Sequence, residues 1–267
     1  MIISVNWLKK YTDIDVSIDE LTALIGSRLV EVEDVIDLGK KYEGVIIAKV
    51  MECKPVEGSD HLNVTKIDDG GVAKDVQRDE NGLVQVVCGA PNVREGLTVA
   101  WLPPGSTVPE TFGRDPFVLG ARELRGVMSN GMLVSAKELD LWDDHTGILE
   151  LEDERKPGES FATAYELDDY LLDIENKSLT HRPDTFGIVG FAREIAGIQG
   201  KAFKTPERLQ LDGIKWIEKK GDVPTPNVTI DDPELSGRYQ AVVLTNVDSK
   251  AQLSPLEIRT YLARVGV

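Results

Sequence analysis

The sequence has few of the side chains that carry covalent or metal-dependent chemistry, beginning with cysteine. Its two cysteines, Cys53 and Cys88, lie far apart, with no CxxC spacing and no pair of histidines nearby. Because zinc sites and disulfide frameworks need closely spaced or numerous cysteines, neither is expected. Cys88 ends the apolar run LVQVVC, so we expect two free and mostly buried thiols, with Cys88 in the core.

Histidine is equally scarce, which limits the metal and catalytic sites that the chain can build. The three histidines, His61, His145 and His181, stand in different local contexts. A metal site needs two or three ligands at helical or turn spacing, so we predict no metal. We interpret His61 and His145 as residues of surface turns.

The segment ELRGVMSNGMLVSAKEL, residues 123–139, raises the question of a serine nucleophile at Ser129 or Ser135. An activated serine needs a base, an orienting acid and usually a strained elbow such as GxSxG. Neither serine has that context, so a hydrolase is disfavoured. Small residues at a crossing of strands are the better interpretation.

The chain also lacks the signatures of phosphate loops and of membrane targeting. No GxGxxG or GxxxxGK[ST] motif occurs, so we predict no nucleotide site. The first twenty residues mix Lys9, Lys10 and several acids among the apolar positions, which is not typical of a signal peptide or a transmembrane span. We expect a cytoplasmic protein.

Positive charge is in deficit as well, with 30 Lys and Arg against 46 Asp and Glu, a formal net charge of −16. Nonspecific binding of nucleic acid depends on basic side chains that displace condensed counterions, so it is disfavoured. Any contact with nucleic acid therefore requires a local basic patch or a partner.

The two ends of the chain share a mixed helix and strand pattern. Ser4 can cap a helix in SVNWLKKY, and Ser17 followed by Glu20 has the capping-box spacing before a helix that we expect to end at Gly26. RLVEVEDVIDLG alternates apolar and acidic residues, which predicts a strand. After residue 155, DDYLLDIENKS predicts a strand and RPDTFGIVGFAREIAGIQG predicts a helix that ends at Gly200.

Between these ends the pattern changes to short β-rich runs separated by turns. GVIIAKVMEC, HLNVTKID, LVQVVCG, LTVAWLP, GMLVSA and ILELED alternate with breakers such as DDGG, GAPN and PPG. Five or six short strands with one short helix, here SAKELDL, are typical of a small barrel of the OB type.

The last forty residues predict one strand, GRYQAVVLTNV, and one helix, SPLEIRTYLARVGV, with Ser254 as N-cap and Pro255 at the first helical position. One strand and one helix cannot bury two apolar faces, so we expect a truncated domain here.

These patterns predict an α+β multidomain chain: a small split α/β domain with an inserted OB-fold β-barrel, then the start of a further α/β domain. The predicted boundaries are 1–41 and 155–203 for the split domain, 42–154 for the barrel, 204–225 for a linker and 226–267 for the further domain.

The motifs resemble one family over essentially the whole chain. VCGAPNVREGLTVAWLPPGS, RELRGVMSNGMLVSAKELDL and DDHTGILEL closely resemble the tRNA-binding OB domain shared by phenylalanyl-tRNA synthetase β subunits, methionyl-tRNA synthetase appendages and free-standing tRNA-binding proteins. The flanking motifs resemble only the bacterial phenylalanyl-tRNA synthetase β subunit, in its N-terminal portion: MIISVNWLKKY, SIDELTALIGSRLVEVEDV, SLTHRPDTFGIVGFAREIAG, GRYQAVVLTNV and SPLEIRTYLARVG.

The resemblance implies a division of labour in which this chain is noncatalytic. In the family the α subunit carries aminoacylation within an αβ heterotetramer, and the β subunit supplies tRNA contacts, assembly surfaces and an editing site that hydrolyses mischarged Tyr-tRNA. The editing residues lie beyond Val267, so none is carried over, and 226–267 is the truncated start of the editing-type domain. ATP and Mg²⁺ are implied for the full enzyme only. His181 stands where the family usually has asparagine before Arg-Pro-Asp.

In the OB interpretation Gly126 and Gly131 permit a bend or a close backbone approach, and Ser129 and Ser135 are architectural or face RNA. We expect tRNA(Phe) and the α subunit as partners. Basic residues cluster around the motif loops, where an OB face meets RNA. The candidate tRNA-binding residues are Asn92, Arg94, Arg122, Arg125, Ser129, Met132, Ser135 and Lys137.

Two alternatives stay open from the sequence. The cluster of Arg94, Arg122, Arg125 and Lys137 either meets RNA or pairs with Glu123, Glu138 and Glu95 on a solvated face. The chain is either part of a β subunit or a free-standing tRNA-binding protein, although the long flanks argue against the second.

Overall fold

The fold is known from a computed structural model, which describes residues 1–151, 155–206, 226–241, 243 and 254–267. Met1–Lys204 and Pro255–Val267 form one compact unit, and Thr205–Ser254 form another. Across the described residues, no helix combines the length and hydrophobicity needed to cross a bilayer.

Ten strands and six α-helices are assigned within the described residues. In chain order they are β1 (Ile2–Ser4), α1 (Val5–Lys9), α2 (Ile18–Arg28), β2 (Val32–Asp37), α3 (Leu38–Lys41), β3 (Ile46–Pro55), β4 (Asn63–Asp68), β5 (Val84–Cys88), β6 (Thr98–Leu102), β7 (Ala121–Leu124), β8 (Val127–Asn130), β9 (Met132–Leu133), α4 (Phe161–Ala164), β10 (Tyr170–Ile174), α5 (Ile188–Gln199) and α6 (Leu256–Arg264). The chain is therefore a mixed α+β protein, as predicted.

The first and last strands of the large unit form one antiparallel sheet in the order β1-β10-β2. Helices α1, α2 and α5 cover it with apolar side chains that share one buried cluster with the sheet: Ile3, Val5, Leu8, Leu21, Ile25, Val30, Leu172, Ile174, Leu179, Phe191, Ala192 and Ile195. Residues from before and after the β-rich segment thus share a hydrophobic core.

The local signals of these helices explain most of their ends. Ser17 and Glu20 form the predicted capping box, in which each side chain accepts a hydrogen bond from the other residue's backbone N–H. Gly200 ends α5 in the left-handed conformation at φ 67°, as predicted. The expected end of α2 at Gly26 was wrong, because the helix continues to Arg28. Glycine in a helix is unfavourable but tolerated where the flanking residues pack.

The central segment forms a nearly closed five-stranded antiparallel barrel in the order β5-β4-β3-β6-β9, which is consistent with the OB fold. Its interior contains buried aliphatic residues from the strands, Cys88, and Trp101, whose side chain is fully buried. Both cysteines are free; Cys88 lies in the core as predicted, whereas Cys53 is only half-buried. The β7–β8 hairpin stands beside this barrel as a separate two-stranded sheet.

Side chains, rather than a continuous ladder, join the hairpin to the free edge of β5. Ser129 Oγ accepts a hydrogen bond from Val87 N at 3.0 Å and donates to Gly131 O at 3.0 Å. Gln85 Nε2 donates to Met128 O at 2.9 Å, and Asn130 Nδ2 donates to Gln85 O at 3.1 Å. These bonds satisfy backbone groups that an open sheet edge would leave unpaired.

One apolar cluster connects the barrel to its flanks, and a buried arginine connects helix α6 to the same unit. The rings of Phe161 and Tyr165 lie 4.9 Å apart within an apolar cluster that also contains Ile47 and Leu102 of the barrel and Leu171 of β10. Helix α6 joins the same unit through Arg264, which is buried and donates to Glu166 O at 2.7 Å and Asp169 Oδ2 at 3.4 Å.

Four other local predictions need correction or lie outside the described residues. SAKELDL forms consecutive turns instead of a helix, because its capping residues close a single turn. Helix α6 has Pro255 rather than Ser254 as N-cap, since Pro255 is extended at ψ 142°. The predicted linker, after residue 206, and most of the strand GRYQAVVLTNV lie outside the described residues.

The two glycines of the hairpin region allow two effects to be compared. One is the cost of a left-handed backbone, and the other is the cost of a clash with a neighbouring strand. Both have positive φ, 78° at Gly126 and 83° at Gly131. A Cβ at Gly126 would meet no heavy atom within 4 Å, whereas one at Gly131 would stand 2.0 Å from Leu102 O. We expect Gly126→Ala to lower the free energy of unfolding by about 1–2 kcal/mol through the left-handed backbone alone. Gly131→Ala should cost at least about 1–3 kcal/mol more, through the clash.

Urea denaturation of both variants measures this difference. Equal losses of stability would show that Leu102 and Gly131 do not approach as closely as the fold requires.

Candidate nucleic-acid interface

A cleft of about 570 Å³ opens where the hairpin meets the barrel. Its walls come from the end of β5 at 87–91, the loop 117–120, β7, the turn between β8 and β9, and the loop 145–148. Four of the eight candidate residues line it: Arg122, Ser129, Met132 and Ser135. The volume lies within the range of about 300–1,000 Å³ that is usual for small-molecule sites.

The hairpin above the cleft ends in a two-residue turn at Arg125 and Gly126. Both have positive φ, 51° and 78°, the pattern of a type I′ turn. The first position of that turn favours Asn, Asp or Gly, because a longer L side chain costs free energy in the left-handed region. Arg125 is exposed and occupies a turn position at which the backbone conformation favours other residue types.

The predicted basic cluster divides into two paired and two unpaired residues. Arg94 makes a bidentate contact with Glu150, at 2.8 and 3.0 Å, and Lys137 Nζ lies 2.8 Å from Asp143 Oδ1. Arg122 and Arg125 are exposed and have no hydrogen-bond or ion-pair partner in the part of the chain that the structure describes. The carboxylates proposed as partners were wrong, since Glu123, Glu138 and Glu95 pair with none of the four.

The pairing of Arg94 serves the architecture of the barrel. Its guanidinium holds the pKa of the Glu150 carboxyl below the usual value. Asn92 donates to the same carboxylate at 3.0 Å and to Ile148 O at 2.9 Å, and its Oδ1 accepts from Ile148 N. Together Asn92 and Arg94 fix the strand-like segment at 148–150 to the loop after β5.

Ser129 and Ser135 are both buried and hydrogen-bonded within the protein. The bonds of Ser129 to Val87 and Gly131 agree with the architectural alternative for this residue. Ser135 caps the turn that follows it, because its Oγ accepts from Glu138 N at 3.2 Å while Glu138 Oε2 accepts from Ser135 N at 2.7 Å. Met132 is half-buried on β9 in the cleft wall.

His145 adds a third member to this group, but the order of contacts is not that of a catalytic triad. Ser135 Oγ lies 2.8 Å from Glu138 Oε2 and 3.0 Å from His145 Nδ1. In a triad the histidine stands between the acid and the serine; here the serine stands between the other two. The carboxylate cannot orient the imidazole, so the geometry disfavours a nucleophilic serine. The sequence around His145 predicts only a surface turn and gives no sign of its contact with Ser135.

Cys88 lines the cleft without the features of a reactive thiol. Burial raises its pKa, which disfavours the nucleophilic thiolate, and its Sγ accepts a hydrogen bond from Ala90 N.

Two apolar side chains at the cleft could not be identified as site residues from the sequence. Phe117 and Val118 line the cleft and are 49% and 55% exposed. The only signal in the sequence is an aromatic and aliphatic pair, FV, inside the polar loop GRDPFVLG, and single exposed apolar residues are common on proteins.

Comparison with known proteins shows that the cleft lies within a segment that matches a known domain family. Residues 45–160 match the family described as "Putative tRNA binding domain", which includes the cleft, the hairpin and all eight candidate residues. Phenylalanine–tRNA ligase beta subunits are similar over nearly the whole chain. The one from Bordetella parapertussis is 33% identical over 261 residues, 98% of this chain and 29% of that protein. The resemblance predicted from the sequence is confirmed.

Two other phenylalanine–tRNA ligase beta subunits match over the same extent. The Neisseria meningitidis protein is 35% identical over 265 residues, 99% of this chain and 31% of its own. The Rhodopseudomonas palustris protein is 36% identical over 269 residues, 100% of this chain and 30% of its own. The chain thus spans less than a third of the length of these relatives.

The strained turn allows a test of whether Arg125 has a role in stability. We expect Arg125→Asn to raise the free energy of unfolding by up to about 1 kcal/mol, because asparagine suits the left-handed position and Arg125 loses no internal contact. Arg125→Ala, which removes the same side chain without that benefit, should leave stability nearly unchanged. Thermal and urea denaturation measure both; a loss above about 1 kcal/mol in either variant would mean that Arg125 supports the fold.

Proposed function

We propose that this chain is the noncatalytic N-terminal part of a phenylalanine–tRNA ligase beta chain, and that it contributes tRNA binding and subunit assembly to the attachment of phenylalanine to tRNA(Phe). Two similarities support this proposal: the chain is similar to phenylalanine–tRNA ligase beta subunits, and residues 45–160 match a tRNA-binding domain. An α subunit, joined in an αβ heterotetramer, is the proposed partner.

The observation that carries the proposed tRNA contact is the pair of unpaired arginines on the hairpin. Arg122 and Arg125 lie at a cleft within residues 45–160, the segment that matches the tRNA-binding domain. Arg94 and Lys137, by contrast, are paired with carboxylates. A net charge of −16 repels a polyanion at long range, so binding must depend on short-range contacts. Two free guanidinium groups, each able to grip a phosphate with two donors, supply such contacts.

The flanks of the barrel support a scaffold role in this proposal. We infer that residues 1–41 and 155–203 act as one split domain around the inserted barrel, because they share the β1-β10-β2 sheet and its core. We assign no cofactor to the chain and leave ATP and Mg²⁺ to the full enzyme. In the ranges that the structure describes, no three His, Cys, Asp or Glu residues are grouped to hold a metal ion.

A free-standing tRNA-binding protein is the second candidate. It needs only the barrel, whereas the similarity to beta subunits includes the sheet and helices on both sides. Those flanks favour the beta-chain proposal.

Titration of tRNA tests the role of the two arginines. We expect wild type to bind tRNA with micromolar or weaker affinity, near the range of nonspecific binding. Arg122→Ala with Arg125→Ala should weaken binding and reduce the slope of log K against log salt by about one to two, since up to two phosphate contacts are lost.

The matched control is Lys201→Ala with Lys204→Ala, which changes the net charge by the same amount but removes surface lysines that are paired with Asp15 and Asp13 and do not line the cleft. It should bind nearly as wild type does. If wild type and the Arg122/Arg125 variant have equal affinities for tRNA and equal slopes of log K against log salt, then other residues contact the tRNA.

The noncatalytic assignment has its own test. Because the sequence has no phosphate loop, we expect the chain alone to show no pyrophosphate exchange with phenylalanine and ATP and no deacylation of Tyr-tRNA. Radioactive exchange and deacylation assays measure both. Exchange well above a no-protein blank would contradict the assignment.

A further inference from the structure

The loop that carries the exposed Phe117 is held at the cleft by hydrogen bonds of its backbone. Phe117 N donates to Thr111 Oγ1 at 2.9 Å, and Val108 N donates to Phe117 O at 3.0 Å. Two residues on, Leu119 N donates to Ser106 O at 2.9 Å. The backbone of Phe117 is thus anchored on both sides, and its half-exposed side chain lines the cleft.

Two side chains that line the cleft, Glu138 and His145, carry hydrogen-bond acceptors and form what we call its acceptor-rich wall. Ser135 Oγ has one proton, which goes to Glu138 Oε2, so the contact with His145 is completed by a proton on His145 Nδ1. In the neutral ring this leaves Nε2 as an acceptor. Glu138 Oε1 has no hydrogen-bond partner among the described residues and is an acceptor as well.

The cleft therefore combines three features: an aromatic side chain on an anchored loop, an acceptor-rich wall, and the guanidinium of Arg122, which has no partner among the described residues. RNA-binding proteins recognise unpaired bases by stacking them on aromatic rings and by hydrogen bonds to their edges. An acceptor-rich wall matches bases with an exocyclic amino group, namely adenine, cytosine and guanine, and disfavours uracil, whose carbonyls are acceptors too.

We propose that the cleft binds one unstacked nucleobase that carries an exocyclic amino group, stacked on Phe117, with Arg122 against the adjoining phosphate. This inference rests on the proposed tRNA-binding function and specifies the ligand of the same site. Duplex RNA keeps its bases stacked and paired, so the ligand must come from a loop, a bulge or a single-stranded end.

The test measures fluorescence anisotropy of labelled eight-nucleotide oligo(A), oligo(C) and oligo(U), and of an RNA duplex with a similar number of phosphates, at low salt. Wild type should bind oligo(A) and oligo(C) more tightly than oligo(U) or the duplex. Phe117→Ala should weaken oligo(A) binding about tenfold or more and leave duplex binding unchanged. Phe117→Trp, which keeps a stacking surface, should retain the affinity.

Glu138→Gln tests the acceptor wall without removing the cap on the turn, because glutamine also completes a capping box. Its amide adds a donor, so the preference for oligo(A) over oligo(U) should shrink or reverse. Equal binding of oligo(A) by wild type and Phe117→Ala would overturn the stacking inference, and an unchanged preference in Glu138→Gln would overturn the choice of base.

The outcome for tRNA separates this inference from the proposed function. If the Arg122/Arg125 variant loses tRNA affinity but Phe117→Ala binds oligonucleotides as wild type does, only the base pocket is wrong. If wild type binds neither tRNA nor any oligonucleotide, the proposed function fails with it.

Discussion

The hydrogen bond from Val87 N to Ser129 Oγ fixes the geometry on which the cleft side of the barrel depends. It joins strands that share no backbone ladder, and it does so inside the protein, where an unpaired N–H would cost about 1–3 kcal/mol. The indole of Trp101 reinforces the same junction by donating to Asn130 O at 2.9 Å. Without this junction the hairpin would have no fixed place relative to β5, and the cleft would have no second wall.

That junction also explains how an acidic chain can present a basic contact. Arg122 and Arg125 of the hairpin have no carboxylate partner among the described residues, whereas Arg94 and Lys137 are paired with carboxylates. Unpaired guanidinium groups act over the few ångströms of a direct contact, where the distant acids are screened by salt. Local geometry, rather than net charge, therefore decides whether this face can meet a phosphate.

The features that could be predicted from the sequence are those with short-range causes. The capping box joins Ser17 to Glu20, three positions later, and the left-handed end of α5 depends on Gly200 alone. Both features can therefore be predicted from a short stretch of sequence. Strand patterns alternate over a few positions. The nearly closed barrel followed from several such runs together, and the motifs made the family resemblance specific.

The site required contacts between distant parts of the chain. Val87 and Ser129 are separated by 42 residues, and Arg94 and Glu150 by 56, so no local pattern shows which arginines are paired. The sequence motifs contain the four candidate residues that line the cleft, but they do not show which of the four basic residues are paired. The role of Phe117 was equally hidden, because its exposure depends on how the loop is anchored to Thr111 and Ser106.

The most direct test of this account is ultraviolet cross-linking of tRNA to the chain, followed by mass spectrometry of the linked peptides. If the hairpin side of the barrel is the RNA-binding face, cross-links concentrate in residues 117–132, with Phe117 among the linked positions because aromatic rings stacked on bases couple efficiently. Cross-links confined to β3 and β4 at 46–68, which do not line the cleft, would contradict the account.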